Sequence, residues 1–232
     1  MNWGRDQQWA QVMTTSGISD QRSPDSTKIG GWLCRHRTSI PFPFALVLLF
    51  VRVGEAPFAW TLVAGGAVLT AAGELIRLWG VHHIGAISRT RSERLGPLVD
   101  TGPFAAVRNP LYIGNILLWS GLALTARLIW FAPVIVVLLG VEYHAIVKWE
   151  EQLLRSRIGE AYSAYCARVP RWLPRLTSPR YLAADLASHL RDISEMSTER
   201  RELSWKATLF SERGTLIAIG LGYVLLWLKA RF

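Results

Sequence analysis

Arg108, Asn109 and Pro110 stand in VRNPLYIGN (107–115), at the mouth of a segment that is almost wholly apolar. A second apolar segment carries Glu142 well inside it and Glu150 and Glu151 at its exit. A carboxylate at the centre of a bilayer costs about 2.5–3.5 kcal/mol on insertion scales, so intramembrane acids mark function by default. Glu142 is therefore a candidate catalytic group unless a hydrogen-bonding neighbour, such as a facing serine, satisfies it. Arg108 could grip an anionic group, or could simply snorkel to phosphate headgroups as basic residues at helix ends do. Glu150 and Glu151, taken alone, would be a solvated helix end. His82, His83 and His144 lack the paired i, i+4 spacing of a metal site, and no metal is expected.

These residues need membrane helices to position them. Half of the 232 residues are apolar, 11 are tryptophan, and mean hydropathy is +0.21. The 26 Lys and Arg outnumber the 17 Asp and Glu and fall mostly outside the apolar segments. That distribution suits a membrane protein with a basic face, because anionic headgroups attract such residues. Nucleic-acid binding, the rival for a basic chain, calls for a basic stripe or a known motif on a soluble domain, and neither is present. Cys34 and Cys166 are too few and too far apart for a disulfide framework.

Residues 1–37 read as a polar N-terminal tail without the apolar core of a signal peptide, ending in CRHR (34–37). The apolar run Pro41–Val53 is short against the roughly 20 residues of a full span and reads as a tilted or partial crossing. Phe58–Trp79 reads as a transmembrane helix whose small residues, Ala64 to Ala67 and Ala71 to Gly73, offer a face for close approach. A connection rich in glycine and arginine follows. The next helix runs from Pro110, suited to a first helical position, to about Ala126. Its partner runs from Leu128 to Glu151, so the two form an antiparallel hairpin. Beyond Pro179, Leu182, Leu186, Leu190, Ile193 and Met196 recur at the spacing of an amphipathic helix. Gly214–Leu228 could span.

The arginines of the 80–109 and 148–180 segments place both on the cytoplasmic side, where VRNPLYIGN and KWEEQLL would share one end of the hairpin. A fifth span would carry the C-terminus to the other side. The expectation is an all-α integral membrane bundle of about four to five transmembrane helices with cytoplasmic helices, its core at 38–175.

In chain order the motifs are LVDTGPFAAVRNPLYIGN (98–115), an apolar hairpin, then EEQLLRSRIGEAYSAYCARVPRWLP (150–174). This order resembles the isoprenylcysteine carboxyl methyltransferase and phospholipid methyltransferase superfamily over roughly residues 60–175. The resemblance implies a site for S-adenosyl-L-methionine in which Gly96, Pro97, Leu98 and Val99 line the cofactor. It sets Phe104 at the tyrosine of a Gly-x-Tyr motif, and Asn109, Pro110, Leu111 and Tyr112 at an Arg-His-Pro-x-Tyr motif. It also implies that Glu150 meets the cofactor's amino group. A carboxylate suits an α-ammonium, free N–H groups at a helix start suit a carboxylate, and an aromatic face attracts a sulfonium.

Three positions depart from the family pattern. Asn109 replaces its histidine and cannot act as a general base; Phe104 replaces its tyrosine; and Ile146 stands where the carboxyl methyltransferases carry an arginine. The implied reaction is methyl transfer to a lipid or lipidated acceptor drawn from the bilayer. An anionic oxygen would be held by cations such as Arg77, Arg89 and Arg108, whereas an amine would give up a proton, to Glu74 or Glu142. The rivals are a non-catalytic membrane protein that keeps the family shape, and a small redox or transport protein using the histidines and Glu142. The C-terminal part, 176–232, is expected to cover the site, shape substrate choice or support self-association.

Overall fold

A computed structural model of the chain describes residues 25–37, 39–84, 98–173 and 205–232. Gly96 and Pro97, Arg89, Arg91 and Arg94, and the amphipathic stretch from Leu182 to Met196 lie outside the described residues. All the regular elements are helices: α1 (Asp25–His36), α2 (Phe42–Phe50), α3 (Trp60–Ile84), α4 (Pro103–Ala106), α5 (Pro110–Thr125), α6 (Phe131–Ile158), α7 (Glu160–Arg168) and α8 (Trp205–Arg231). No strand occurs among the described residues.

α3, α6 and α8 are each long and apolar enough to cross a membrane, and α5 is a shorter apolar helix. Their outward faces carry large apolar residues, among them Val68, Leu75, Val137, Val141 and Ile217. An apolar exterior of that kind faces lipid. α1 and α2 are shorter and pack against these helices. Gly30 of α1 lies against Ala145 and Trp149 of α6; Phe44 of α2 packs edge-on to Trp119 and Phe131; and the carbonyls of Leu48 and Val51 accept bonds from Lys229 near the end of α8. The last turn of α8 thus lies at the end of the bundle away from Glu150.

The closest helix pair is α3 with α5, more extensive than the α5–α6 hairpin that the sequence suggests. Glycines repeat every seven residues on both, at Gly66, Gly73 and Gly80 and at Gly114 and Gly121. A seven-residue repeat returns to one helix face after about two turns. A Cβ on Gly73 would stand 2.5 Å from the Gly114 carbonyl oxygen, and one on Gly114 would stand 2.6 Å from that of Gly73. The two backbones touch, as small residues permit between membrane helices. Thr70 bonds the Gly66 carbonyl at 3.0 Å and accepts from Tyr223 of α8 at 3.0 Å, which sets the third helix on this pair.

α6 does not end at Glu151, where the apolar pattern stops. It runs on to Ile158 and ends where Gly159 adopts φ +68, a conformation that glycine takes without steric cost. Two more turns thus project beyond the apolar segment, and they carry α7 back toward α5. At the opposite end Lys229 pairs with Glu55 at 2.9 Å, Arg127 pairs with the same carboxylate, and Arg52 bonds the Lys229 carbonyl at 3.0 Å. This clasp ties the α2–α3 loop, the α5–α6 turn and the last turn of α8 together.

Candidate active site

The site is built on the first turn of α5 and the stripe of α6 that faces it. Tyr143 and Glu150 are seven residues apart and so share that stripe. Tyr112 reaches both. Its ring stacks on Tyr143 with centroids 4.6 Å apart, and its hydroxyl donates to Glu150 Oε1 at 2.9 Å. Pro110 begins α5 and is fully buried, which fixes the turn that aims Tyr112. The two motif fragments, separated by an apolar hairpin in sequence, are thus in contact.

α1 and the turn after it form another wall. Cys34 Sγ lies 3.9 Å from Glu150 Oε1, and Arg37 Nη1 lies 4.0 Å from the same oxygen. Burial, with the Glu150 carboxylate beside it, pushes the Cys34 thiol above its ordinary pKa. Neither residue stood out in the sequence as a site residue. Their signal was the basic CRHR cluster followed closely by two prolines, Pro41 and Pro43, which breaks a helix at the place where Arg37 meets Glu150.

Arg108 and Glu151 have a different occupation. Glu151 is almost fully buried and receives Arg108 at 3.0 Å, two nitrogens of Arg171 at 2.9 and 2.8 Å, and Arg155 at 3.7 Å. The bond to Glu151 leads the causes that raise the Arg171 pKa. Arg108 also meets Cys166 Sγ at 2.8 Å, and its backbone N–H donates to the Pro170 carbonyl at 2.9 Å. Asn109 donates from Nδ2 to the Arg171 carbonyl at 3.1 Å. Together these bonds strap the chain after α7 onto the start of α5. Tyr165 adds a bond of 2.8 Å to the Phe104 carbonyl, and burial raises its phenol well above the ordinary value. The Phe104 and Leu111 side chains lie near Gly80 of α3. Leu98 packs on the Tyr162, Tyr165 and Val169 cluster, and Val99 is half-buried beside it in sequence.

Deeper in the bundle, Arg77 of α3 donates to Glu74 at 3.1 Å, to Asn115 of α5, and to Glu212 and Thr215 of α8 at 2.7 and 3.4 Å. Glu142 is 7% exposed, and both its carboxylate oxygens lack a hydrogen-bond partner. Among the described residues no serine satisfies it, and the buried hydroxyl of Ser120 has no partner there either. Glu142 precedes Tyr143 in the chain and lies eight residues from Glu150, about 12 Å along the α6 axis at 1.5 Å per residue. Among the described residues no group of three or more His, Cys, Asp and Glu could hold a metal ion.

Among the described residues the chain is an all-helical bundle with three helices long and apolar enough to cross a membrane, and it carries carboxylates both at one end and in its interior, as an integral membrane protein. Residues 61–161 match the phospholipid methyltransferase family model, over the stretch whose motifs resemble that superfamily. The chain is 27% identical to the cobalt-zinc-cadmium resistance protein CzcN of Cupriavidus metallidurans, over 71% of this chain and 76% of that protein. It is also 27% identical to the nickel-cobalt-cadmium resistance protein NccN of Alcaligenes xylosoxydans xylosoxydans, over 64% of this chain and 70% of that one. No solved structure matches it significantly.

Proposed function

We propose that this protein transfers a methyl group from S-adenosyl-L-methionine to a lipid or lipidated acceptor in the bilayer, at a site facing the cytoplasm. The observation that carries the reading is the 2.9 Å contact of Tyr112 with Glu150, which unites the two family motifs from different helices. The residues present fit the cofactor. Glu150 is a partly exposed carboxylate whose orientation Tyr112 fixes, as an α-ammonium requires. Tyr112 and Tyr143 are buried and stacked on each other, so their part is to hold Glu150 in place. Leu98, Val99, Phe104, Asn109, Pro110 and Leu111 shape and brace the loop and the first turn of α5 around these groups. Gly96 and Pro97 would complete that loop.

When bound, the cofactor supplies a methyl group on a positively charged sulfur. The chain's own work is then alignment, which can contribute several kcal/mol without any covalent step. Arg108 and Arg77, two of the cations considered for an anionic acceptor, are already neutralised by Glu151 and by Glu74 with Glu212. Glu142, by contrast, is a buried carboxylate without a partner. This balance favours an amine acceptor. Glu142 would take the ammonium proton and leave the acceptor nitrogen neutral, ready for the methyl group that the bound cofactor supplies.

One observation favours a non-catalytic reading: Asn109 is spent on the Arg171 carbonyl, a strap rather than a reactive contact. Calorimetric titration of S-adenosyl-L-methionine into detergent-purified protein, with Glu150→Gln alongside, separates the two. Binding that the variant weakens at least tenfold is expected. No binding to a folded wild-type protein would sink the methyltransferase reading.

A further inference from the structure

α8 lies outside the segment that matches the family, and it reaches the interior through the buried Glu212. The Oε2 atom of Glu212 accepts from Arg77 Nη2 at 2.7 Å and from the Thr215 hydroxyl at 3.1 Å. Glu74, on the same helix as Arg77, takes Nε at 3.1 Å. Two carboxylates from different helices thus grip one guanidinium on two of its edges. Because that group is planar and rigid, holding two of its nitrogens aims the third. Nη1 donates to the Asn115 side-chain oxygen on α5. The Asn115 amide is in turn a hydrogen-bond neighbour of the Tyr143 hydroxyl on α6. Asn115 and Tyr112 are three residues apart and so share one face of α5. Tyr143 is therefore held at its hydroxyl by Asn115 and across its ring by Tyr112, with centroids 4.6 Å apart. Tyr112 then donates to Glu150 at 2.9 Å. Each member of this series touches the next, and a buried polar network whose members are satisfied rigidifies what it joins.

We propose that Glu212 is a positioning residue for the cofactor site: through Arg77, Asn115 and Tyr143 it fixes the Tyr112 ring and thereby the direction from which Tyr112 holds Glu150. This rests on the reading above, in which Glu150 receives the α-ammonium of S-adenosyl-L-methionine. Glu212 acts on the ligand only through these neighbours. With Glu212 removed, Arg77 keeps Glu74 as an anchor on its own helix and loses the one that α8 supplies. Its Nη1 is then free to turn from Asn115, and the Tyr143 hydroxyl loses its fixed neighbour. The densely packed interior passes such a shift to the stacked ring beside it. The seating of α8 in the bundle becomes a determinant of cofactor affinity at the far end of this network.

The test is a double-substitution cycle, read by calorimetric titration of S-adenosyl-L-methionine into detergent-purified full-length protein. The four proteins are wild type, Glu212→Ala, Tyr112→Phe and the combination. Tyr112→Phe keeps the ring and removes the hydroxyl by which the network reaches Glu150. Glu212→Ala should weaken binding roughly three- to tenfold in the wild-type background and less than twofold in the Tyr112→Phe background. Glu212→Gln keeps the length and an acceptor for Arg77, and should lose less affinity than Glu212→Ala. Groups that act independently cost the same factor in both backgrounds. A general loosening of the bundle would give that result, and it overturns the proposal. An affinity within twofold of wild type in a folded Glu212→Ala protein overturns it as well. If Glu212→Ala does not fold, the cycle is run with Glu212→Gln, where an equal loss in both backgrounds, or no loss in either, counts against the proposal. A folded wild type that does not bind the cofactor refutes the cofactor reading itself, whereas binding with equal losses leaves that reading standing and removes Glu212 from it.

Discussion

Tyr112→Phe removes one oxygen from the centre of the site and leaves its shape. The phenylalanine ring can keep the stack on Tyr143, now at 4.6 Å. Glu150 keeps its charge but loses the 2.9 Å donor that orients it. Cys34 at 3.9 Å and Arg37 at 4.0 Å are too distant to replace that bond without moving. A hydrogen bond to a charged group is worth about 1.5–3 kcal/mol. Because the Glu150 side chain is 26% exposed, water can recover part of this, so about 1–2 kcal/mol remains. At about 1.4 kcal/mol per factor of ten, the affinity for S-adenosyl-L-methionine should fall by roughly 5- to 30-fold. Isothermal titration in detergent measures it, with a thermal melt to show that the fold is kept. An affinity within twofold of wild type, in a protein of unchanged melting temperature, would mean that the Tyr112–Glu150 contact orients nothing that the ligand touches.

Glu151→Gln should destabilise the protein rather than reset its chemistry. Breaking a buried ion pair costs about 3–5 kcal/mol, reduced here because Arg171 and Arg155 are partly exposed; an unchanged melting temperature would contradict the clamp. Gly121→Leu should lower thermal stability more than Gly140→Leu does, since a Cβ at Gly121 would stand 2.5 Å from the Thr70 nitrogen while one at Gly140 meets nothing within 4 Å. Overfilling such a contact costs about 1–3 kcal/mol, and equal melting temperatures would refute the α3–α5 contact. In a Cys166→Ser background, Cys34 should react with maleimide more slowly than free cysteine at pH 8.5, and its rate should keep rising at higher pH. The sign follows from burial and the Glu150 charge, which both favour the neutral thiol and raise its pKa, while the thiolate is the reactive form. A rate profile centred at or below the ordinary value of about 8.5 would count against this environment.

The apolar segments were legible because hydropathy and helix length follow directly from the bilayer's thickness. Pro110 announced the start of α5, and the order of the motifs led to the meeting of Tyr112 and Glu150. Glu142 was marked by its cost in an apolar setting, and the structure leaves both its oxygens unpartnered. What the sequence did not disclose depends on single long-range contacts. Arg37 meets a residue 113 positions away, and no periodicity encodes such a pairing. Glu151 looked equivalent to Glu150, because adjacent residues on a helix differ by about 100° in direction and only the neighbouring elements decide what each one meets. Arg108 looked like a headgroup anchor until the return of the chain after α7 supplied Glu151 with a second arginine. The small-residue face of α3 was visible, but the preference of α5 for α3 over α6 came from the backbone contact of Gly73 with Gly114 and of Gly66 with Gly121.

The distribution of charge gives these contacts a common direction. The whole chain carries a formal net charge of +9, yet its interior holds carboxylates: Glu74 and Glu212 meet Arg77 there, and Glu142 is buried as well. The α8 helix contributes Glu212 to that interior and Lys229 to the far clasp. It lies outside the 61–161 family segment, so the acidity beneath the site is partly a property that this chain adds to the family core.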